Sequence, residues 1–153
     1  MPNTFSQLYY HIVFATKYRQ AMLRGDFREE LHQYISGIVK GLDQTLIQIN
    51  SVPDHCHLLV RLRPTMAPSV FVQKVKSNSS GWINKKGFLR VKFQWQTGSG
   101  IFTVGPKDVE IVKRYIQNQQ EHHRKTRFRD EYLTFLGDYG IDYDDRFLPE
   151  FFE

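Results

Sequence analysis

The chain predicts an α+β fold, a ferredoxin-like (RRM-like) βαββαβ antiparallel sheet with additional C-terminal helices. Three observations carry this. Four runs, 8–14, 45–52, 55–63 and 91–95, are rich in β-branched and aromatic residues. Two long intervening stretches place apolar residues at three- and four-residue steps, the helical period. Only Pro53-Asp54 separates the second and third runs, so those two must pair as an antiparallel hairpin. At 153 residues, with 41% apolar and 14% aromatic side chains, the chain is long enough to bury a core. It reads as one domain, 1–153, with 126–153 an acidic extension packed on the body.

Taken in order, residues 8–14 (Leu-Tyr-Tyr-His-Ile-Val-Phe) form the first strand. Lys17-Tyr18-Arg19 follows, two cations around an aromatic. That triplet suits either a grip on phosphate with a stacked base or a solvated loop. Asp26 with Glu29 forms a capping-box pattern. Phe27, Leu31, Tyr34, Ile35, Ile38, Val39 and Leu42 then trace one helical face ending near Gly41. A second helix enters at Pro68 and turns Phe71, Val72, Val75, Ser79, Trp82 and Ile83 inward. Lys74 and Lys76 lie off that stripe, on a shoulder that suits a sugar-phosphate backbone or water. The fourth strand is expected at 91–95, with a glycine-containing turn over 96–100 and extended chain over 101–104. Gly98-Ser99-Gly100 lacks the length and context of a phosphate-binding loop. Gly105-Pro106 starts a third helix, packed by Val109, Val112 and Ile116. A last helix over 126–136 should carry Phe128, Tyr132, Phe135 and Leu136 inward.

Composition excludes some functions. A single cysteine, Cys56, rules out an intrachain disulfide. No apolar stretch approaches a membrane span, and the N-terminus has no basic-then-apolar leader, so a cytoplasmic protein with no membrane partner is expected. Residues 1–125 carry 18 Lys+Arg against 8 Asp+Glu, whereas 126–153 carry 3 against 8. A basic body favours a polyanionic partner.

The chemistry concentrates in Pro53-Asp54-His55-Cys56-His57-Leu58-Leu59-Val60. On a strand, His55 and His57 share a face about 6.7 Å apart, so they can hold one divalent ion between them. Cys56, Leu58, Val60 and Leu62 take the other face, which leaves one dry face and one wet, ligand-bearing face. Downstream, Tyr115 and Gln119 stand four apart and so lie on one stripe of a single helix. Two imidazoles and an amide oxygen leave positions for phosphate oxygens and water, a set suited to Mg²⁺ or Mn²⁺, with zinc open. A tyrosine beside such an ion can attack phosphorus once its hydroxyl, with an ordinary pKa near 10, is activated.

Asp54-His55-Cys56-His57-Leu58-Leu59-Val60 with Tyr115-Ile116-Gln117-Asn118-Gln119 resembles the single-tyrosine HUH transposases of small bacterial and archaeal insertion sequences. Tyr10-His11-Ile12-Val13-Phe14 and Gln119-Gln120-Glu121-His122-His123 add to the likeness, which runs from about Leu8 to about Phe147. The resemblance implies a DNA transposase that cleaves and rejoins single-stranded DNA at hairpin-bearing element ends. Tyr115 would be the nucleophile, forming a 5′-phosphotyrosine, and His55, His57 and Gln119 the metal ligands. It also implies a homodimer in which active sites can be shared. Cys56 occupies the middle of the HUH triplet, where a small buried thiol behaves as an apolar residue. The segment Gly98-Ser99-Gly100-Ile101-Phe102-Thr103 departs from the aromatic-bearing form of relatives, so DNA contacts do not carry over there. Lys17, Arg19, Lys74 and Lys76 are the candidate DNA-binding cations. The competing readings are a non-catalytic single-strand nucleic-acid-binding module and an HUH replication or relaxase-type nickase.

Overall fold

The computed structural model describes residues 4–17, 22–23, 25–122 and 127–141. The order is β1 (Leu8–Ala15), α1 (Gly25–Gly41), β2 (Thr45–Val52), β3 (His55–Leu62), α2 (Pro68–Lys86), β4 (Gly100–Val104), α3 (Val109–Gln117), α4 (Gln119–His122) and α5 (Phe128–Asp138). The strands form one sheet in the order β2-β3-β1-β4, and every neighbouring pair is antiparallel. This is the expected ferredoxin-like arrangement with extra helices at its end.

The two faces are divided by strand periodicity. Ile12, Phe14, Cys56, Leu58, Val60 and Leu62 turn to one side and meet Phe27, Leu31, Ile35 and Val39 of α1 and Phe71, Val75 and Ile83 of α2. These are the inner stripes read from the sequence, except that Tyr34, read on the first stripe, is exposed because it lies at the edge of the buried face. Trp82 is only partly buried and stacks on Tyr34 at 4.7 Å. Gly87 closes α2 in the left-handed region at φ 70°, a conformation glycine adopts without steric cost. On the other face, Leu59 meets Ile116 of α3, while Val13, Ala15 and Phe102 meet Tyr132 and Leu136 of α5. His55 and His57 are fully buried on this face. The expected wet face is therefore a covered one, because α3 and α5 close over it.

Three element boundaries differ from expectation. Residues 91–95 do not join the sheet as a strand, and β4 is Gly100–Val104 instead. Phe93 and Trp95 alternate as strand residues do, but both insert into the α1/α2 core. Asn84 holds the backbone there through Phe93 N–H and C=O (2.7 and 3.0 Å), leaving one bridge, Thr16 to Trp95. Asp26 sits inside the first turn of α1 rather than ahead of it. The third helix also breaks at Asn118, so Tyr115 and Gln119 stand on α3 and α4. The Asn50 side chain of β2 donates to the carbonyls of Ile116 (2.9 Å) and Gln117 (3.2 Å). Those carbonyls are thereby satisfied from outside, and the helix can end there. The start of the last helix at Thr126 and the Phe128 side chain lie outside the described residues, as do His123 and residues 142–153.

Candidate active site

Register brings the site together. His55 pairs with Ala15 and His57 with Val13, so both imidazoles project from the sheet centre at one end of β1. Each ring is held by its Nδ1. His55 Nδ1 lies 2.7 Å from Asp54 Oδ1, and His57 Nδ1 lies 2.9 Å from His11 Nε2. Such outer partners orient imidazoles and direct the remaining nitrogen, Nε2, into the site. With a proton on Nδ1, the Nε2 atoms of both rings present lone pairs. Burial lowers the pKa of His55 to about 4, with the Asp54 hydrogen bond opposing it, and that of His11 to about 3, reinforced by His57. Both are neutral at pH 7. Burial pushes the Cys56 thiol up, which keeps it an apolar core residue.

Tyr115 reaches the same place from α3. Its ring lies edge-on to His57 with centroids 6.0 Å apart, and its hydroxyl donates to Glu131 Oε2. Burial first, then the negative charge of Glu131 and the hydrogen bond to it, raise the phenol's pKa. The resting Tyr115 side chain is thus a neutral phenol. Gln119 is fully buried, its Nε2 donates to the Tyr115 carbonyl at 3.3 Å, and its side chain touches the Tyr115 hydroxyl. Despite the helix break, the two residues remain on one stripe, because one short turn resumes directly after Asn118.

Glu131 is the residue that sequence reading missed. It stands on α5, buried, with Oε1 3.3 Å from His57 Nε2 and 3.7 Å from His55 Nε2, and Oε2 3.0 Å from His122 Nε2. A carboxylate in an acidic helix gives no periodic signal of its own. The one available hint was a charged residue adjoining the inward-facing Tyr132. His122, read as a capping or surface residue, also borders the site, with Nε2 3.4 Å from the Tyr115 hydroxyl.

The donor set fits a divalent ion. His55, His57 and Glu131 offer ligand atoms within 4.8 Å of one another. His57 Nε2 and Gln119 Oε1 are buried polar atoms without a hydrogen-bond partner among the described residues. Buried polar atoms ordinarily find partners, and a cation supplies one for lone pairs. Mixed nitrogen and oxygen donors are compatible with Mn²⁺, Mg²⁺ or Zn²⁺.

The described candidate DNA-binding cations, Lys17, Lys74 and Lys76, lie elsewhere. Lys17 and Lys76 line a cleft of about 590 Å³ between α2 and residues 94–101, together with Gln73, Gln94 and Gln96. Lys76 Nζ donates to the Gln96 carbonyl (2.6 Å), the Gly98 carbonyl (2.9 Å) and Ser99 Oγ (3.3 Å). It thus clamps the loop, and burial lowers its pKa to about 8. Lys17 is exposed and donates to Gln94 Oε1 at 3.0 Å, Lys74 is exposed, and Arg19 lies outside the described residues. No described helix is long and apolar enough to cross a membrane.

Comparison with known proteins bears on the family and the fold. Residues 4–119 match the family model described as "Transposase IS200 like". The transposase of insertion sequence element IS200 from Salmonella typhimurium is 29% identical over 120 residues, 75% of this chain and 78% of that protein. The ISDra2 transposase TnpA of Deinococcus radiodurans is 28% identical over 120 residues, 75% of this chain and 86% of that one. Among solved structures, a crystal structure of a transposase candidate from Deinococcus radiodurans R1 superposes with TM-score 0.63 at 24% identity, covering 76% of this chain and 94% of that chain. A REP-associated tyrosine transposase bound to a REP hairpin gives 0.61 at 14% identity, covering 79% and 72%. These two likenesses establish the fold. With the family model spanning every strand and both HUH histidines, the chain belongs to the IS200-like transposase family, enzymes of DNA transposition.

Proposed function

We propose that this transposase cuts and rejoins single-stranded DNA at hairpin-bearing element ends, with Tyr115 as nucleophile and Mg²⁺ or Mn²⁺ held by His55, His57 and Gln119. One observation carries the reading: the Tyr115 hydroxyl and both imidazoles of the same chain meet at one buried carboxylate. The bound ion would polarise the phosphodiester and offset charge in the transition state. Tyr115 Oη attacks phosphorus, the bond from phosphorus to the 3′ oxygen breaks, and the phenolic proton ends on the departing 3′-hydroxyl. The 5′-phosphate stays on tyrosine, so bond energy is kept and a second 3′-hydroxyl can reverse the step. Glu131 Oε2 receives the hydrogen bond from the phenol, and His11 and Asp54 hold the imidazoles in one orientation. Lys17, Lys74 and Arg19 would bind phosphates of the strand, with Lys76 shaping the loop beside them. A homodimer is the working assembly implied by the family.

The test is incubation with a labelled single-stranded hairpin, with and without Mn²⁺ or Mg²⁺, followed by denaturing electrophoresis. A labelled, SDS-stable protein band is expected with metal. Tyr115→Phe should abolish that band and leave hairpin binding nearly intact. An undiminished band in that variant refutes the nucleophile, and binding without any band in the wild type favours a non-catalytic module.

A further inference from the structure

We infer that Glu131 is a further protein ligand of this centre, so that one carboxylate joins the ion through Oε1 and seats the nucleophile through Oε2. The inference rests on the metal-dependent reading above for the presence of an ion. It gives Glu131 a ligating role that the reading above does not, and Glu131 lies outside the family match, which ends at residue 119.

The argument is one of lone pairs. His55 Nδ1 is occupied by Asp54 and His57 Nδ1 by His11, so each Nε2 points inward. Glu131 Oε1 stands 3.3 Å from one and 3.7 Å from the other, with the side chains of all three buried. His57 Nε2 makes no hydrogen bond among the described residues. Gln119 Oε1 is likewise buried without one. With the protons on Nδ1, the two Nε2 lone pairs and the carboxylate oxygen are all acceptors, and they repel unless a cation stands among them. Their mutual spacing, within 4.8 Å, is what ligands about 2.0–2.2 Å from a shared ion can close to with a small movement. A carboxylate supplies negative charge for the cation, which imidazole nitrogens and an amide oxygen do not. Its second oxygen accepts from the Tyr115 hydroxyl, which sets the phenol oxygen beside the ion's position.

A structural consequence follows. Glu131 is carried by α5, which otherwise docks on the sheet through Tyr132 and Leu136 and through Tyr139 Oη, a donor to the Thr103 carbonyl at 2.7 Å. Ligation would tie α5 to β3, so the ion and the docked helix stabilise each other by linkage. The centre would then be complete only when α5 is down.

Isothermal titration of the full chain with MnCl₂ tests this directly. Wild type should bind one Mn²⁺ per chain, and Glu131→Gln, which preserves shape, should bind about tenfold more weakly or worse. Hydrogen exchange on the wild type needs no variant: amides of Phe128–Asp138 should gain protection on adding Mn²⁺. Glu131→Asp, which keeps the charge but withdraws it by one methylene, should fall between the two in affinity. Unchanged Mn²⁺ affinity in Glu131→Gln, or exchange in α5 indifferent to Mn²⁺, overturns the assignment. Mn²⁺ binding and α5 protection without any DNA adduct would sink the proposed transesterification and leave Glu131 as a ligand. Adduct formation alongside unchanged affinity in Glu131→Gln would do the reverse.

Discussion

Acidifying the metal-free protein from pH 7 to pH 5 should weaken it well before its carboxylates titrate. His55 titrates near 4 and His11 near 3 in the folded chain, whereas an unfolded histidine titrates near 6.5. Between those values the unfolded state binds more protons, so stability rises with pH and is lost as pH falls from about 6.5 toward 4. Each residue then contributes a loss of about 2 kcal/mol between pH 7 and 5, at about 1.4 kcal/mol per pKa unit. Together they cost about 4 kcal/mol, a large share of the ~5–15 kcal/mol that holds a domain folded. Burial also lowers His32, which adds in the same direction. Urea melts at pH 7, 6 and 5 read this. With a slope of about 2 kcal/mol per molar, the midpoint should fall by about 2 M across the range. His11→Gln removes one of the two largest of these titrating groups and should reduce that pH dependence by somewhat under half. A midpoint that does not move between pH 7 and 5 would show that these imidazoles are not buried neutral, and the site geometry would fall with it.

Two further outcomes follow from packing and from the amide. A Cβ at Gly100 would stand 2.8 Å from Phe102 Cε2, 3.1 Å from its Cζ and 3.3 Å from Tyr132 Cε2. Phe102 is buried and cannot step aside, so Gly100→Ala should cost about 1–3 kcal/mol by chemical denaturation; a neutral result would mean that α5 does not press on β4 there. Gln119→Leu should leave the metal-free protein about as stable, because the lost bond to the Tyr115 carbonyl is offset by removing a buried acceptor with no hydrogen-bond partner among the described residues. The same variant should shrink the rise in Tm on adding Mn²⁺, and a full-sized rise would remove Gln119 from the ligand set.

Much of the fold was legible because it rests on short-range periodicity. Alternation in residues 55–62 separated Cys56, Leu58, Val60 and Leu62 from the two histidines, and the structure keeps that division. Residues 91–95 misled for the same reason. Phe93 and Trp95 alternate as a strand would, but Asn84 captures the backbone of Phe93 and the segment drops under α2 instead of joining the sheet. The single long third helix failed because a residue from β2, Asn50, takes the carbonyls at its end. No pattern within 109–122 encodes that.

By itself the sequence determined the first three strands, the shared face of His55 and His57, and the four-residue step from Tyr115 to Gln119, since each follows from how successive side chains leave a strand or helix. Tertiary structure alone decided that the imidazole face is covered, that His11 orients the His57 ring, and that Glu131 arrives from α5. Those facts depend on contacts between residues 46 positions apart, as for His11 and His57, or 74, as for His57 and Glu131 (131 − 57). Side-chain periodicity reaches a few residues along the chain, whereas the packing of helices on a sheet sets what meets across it.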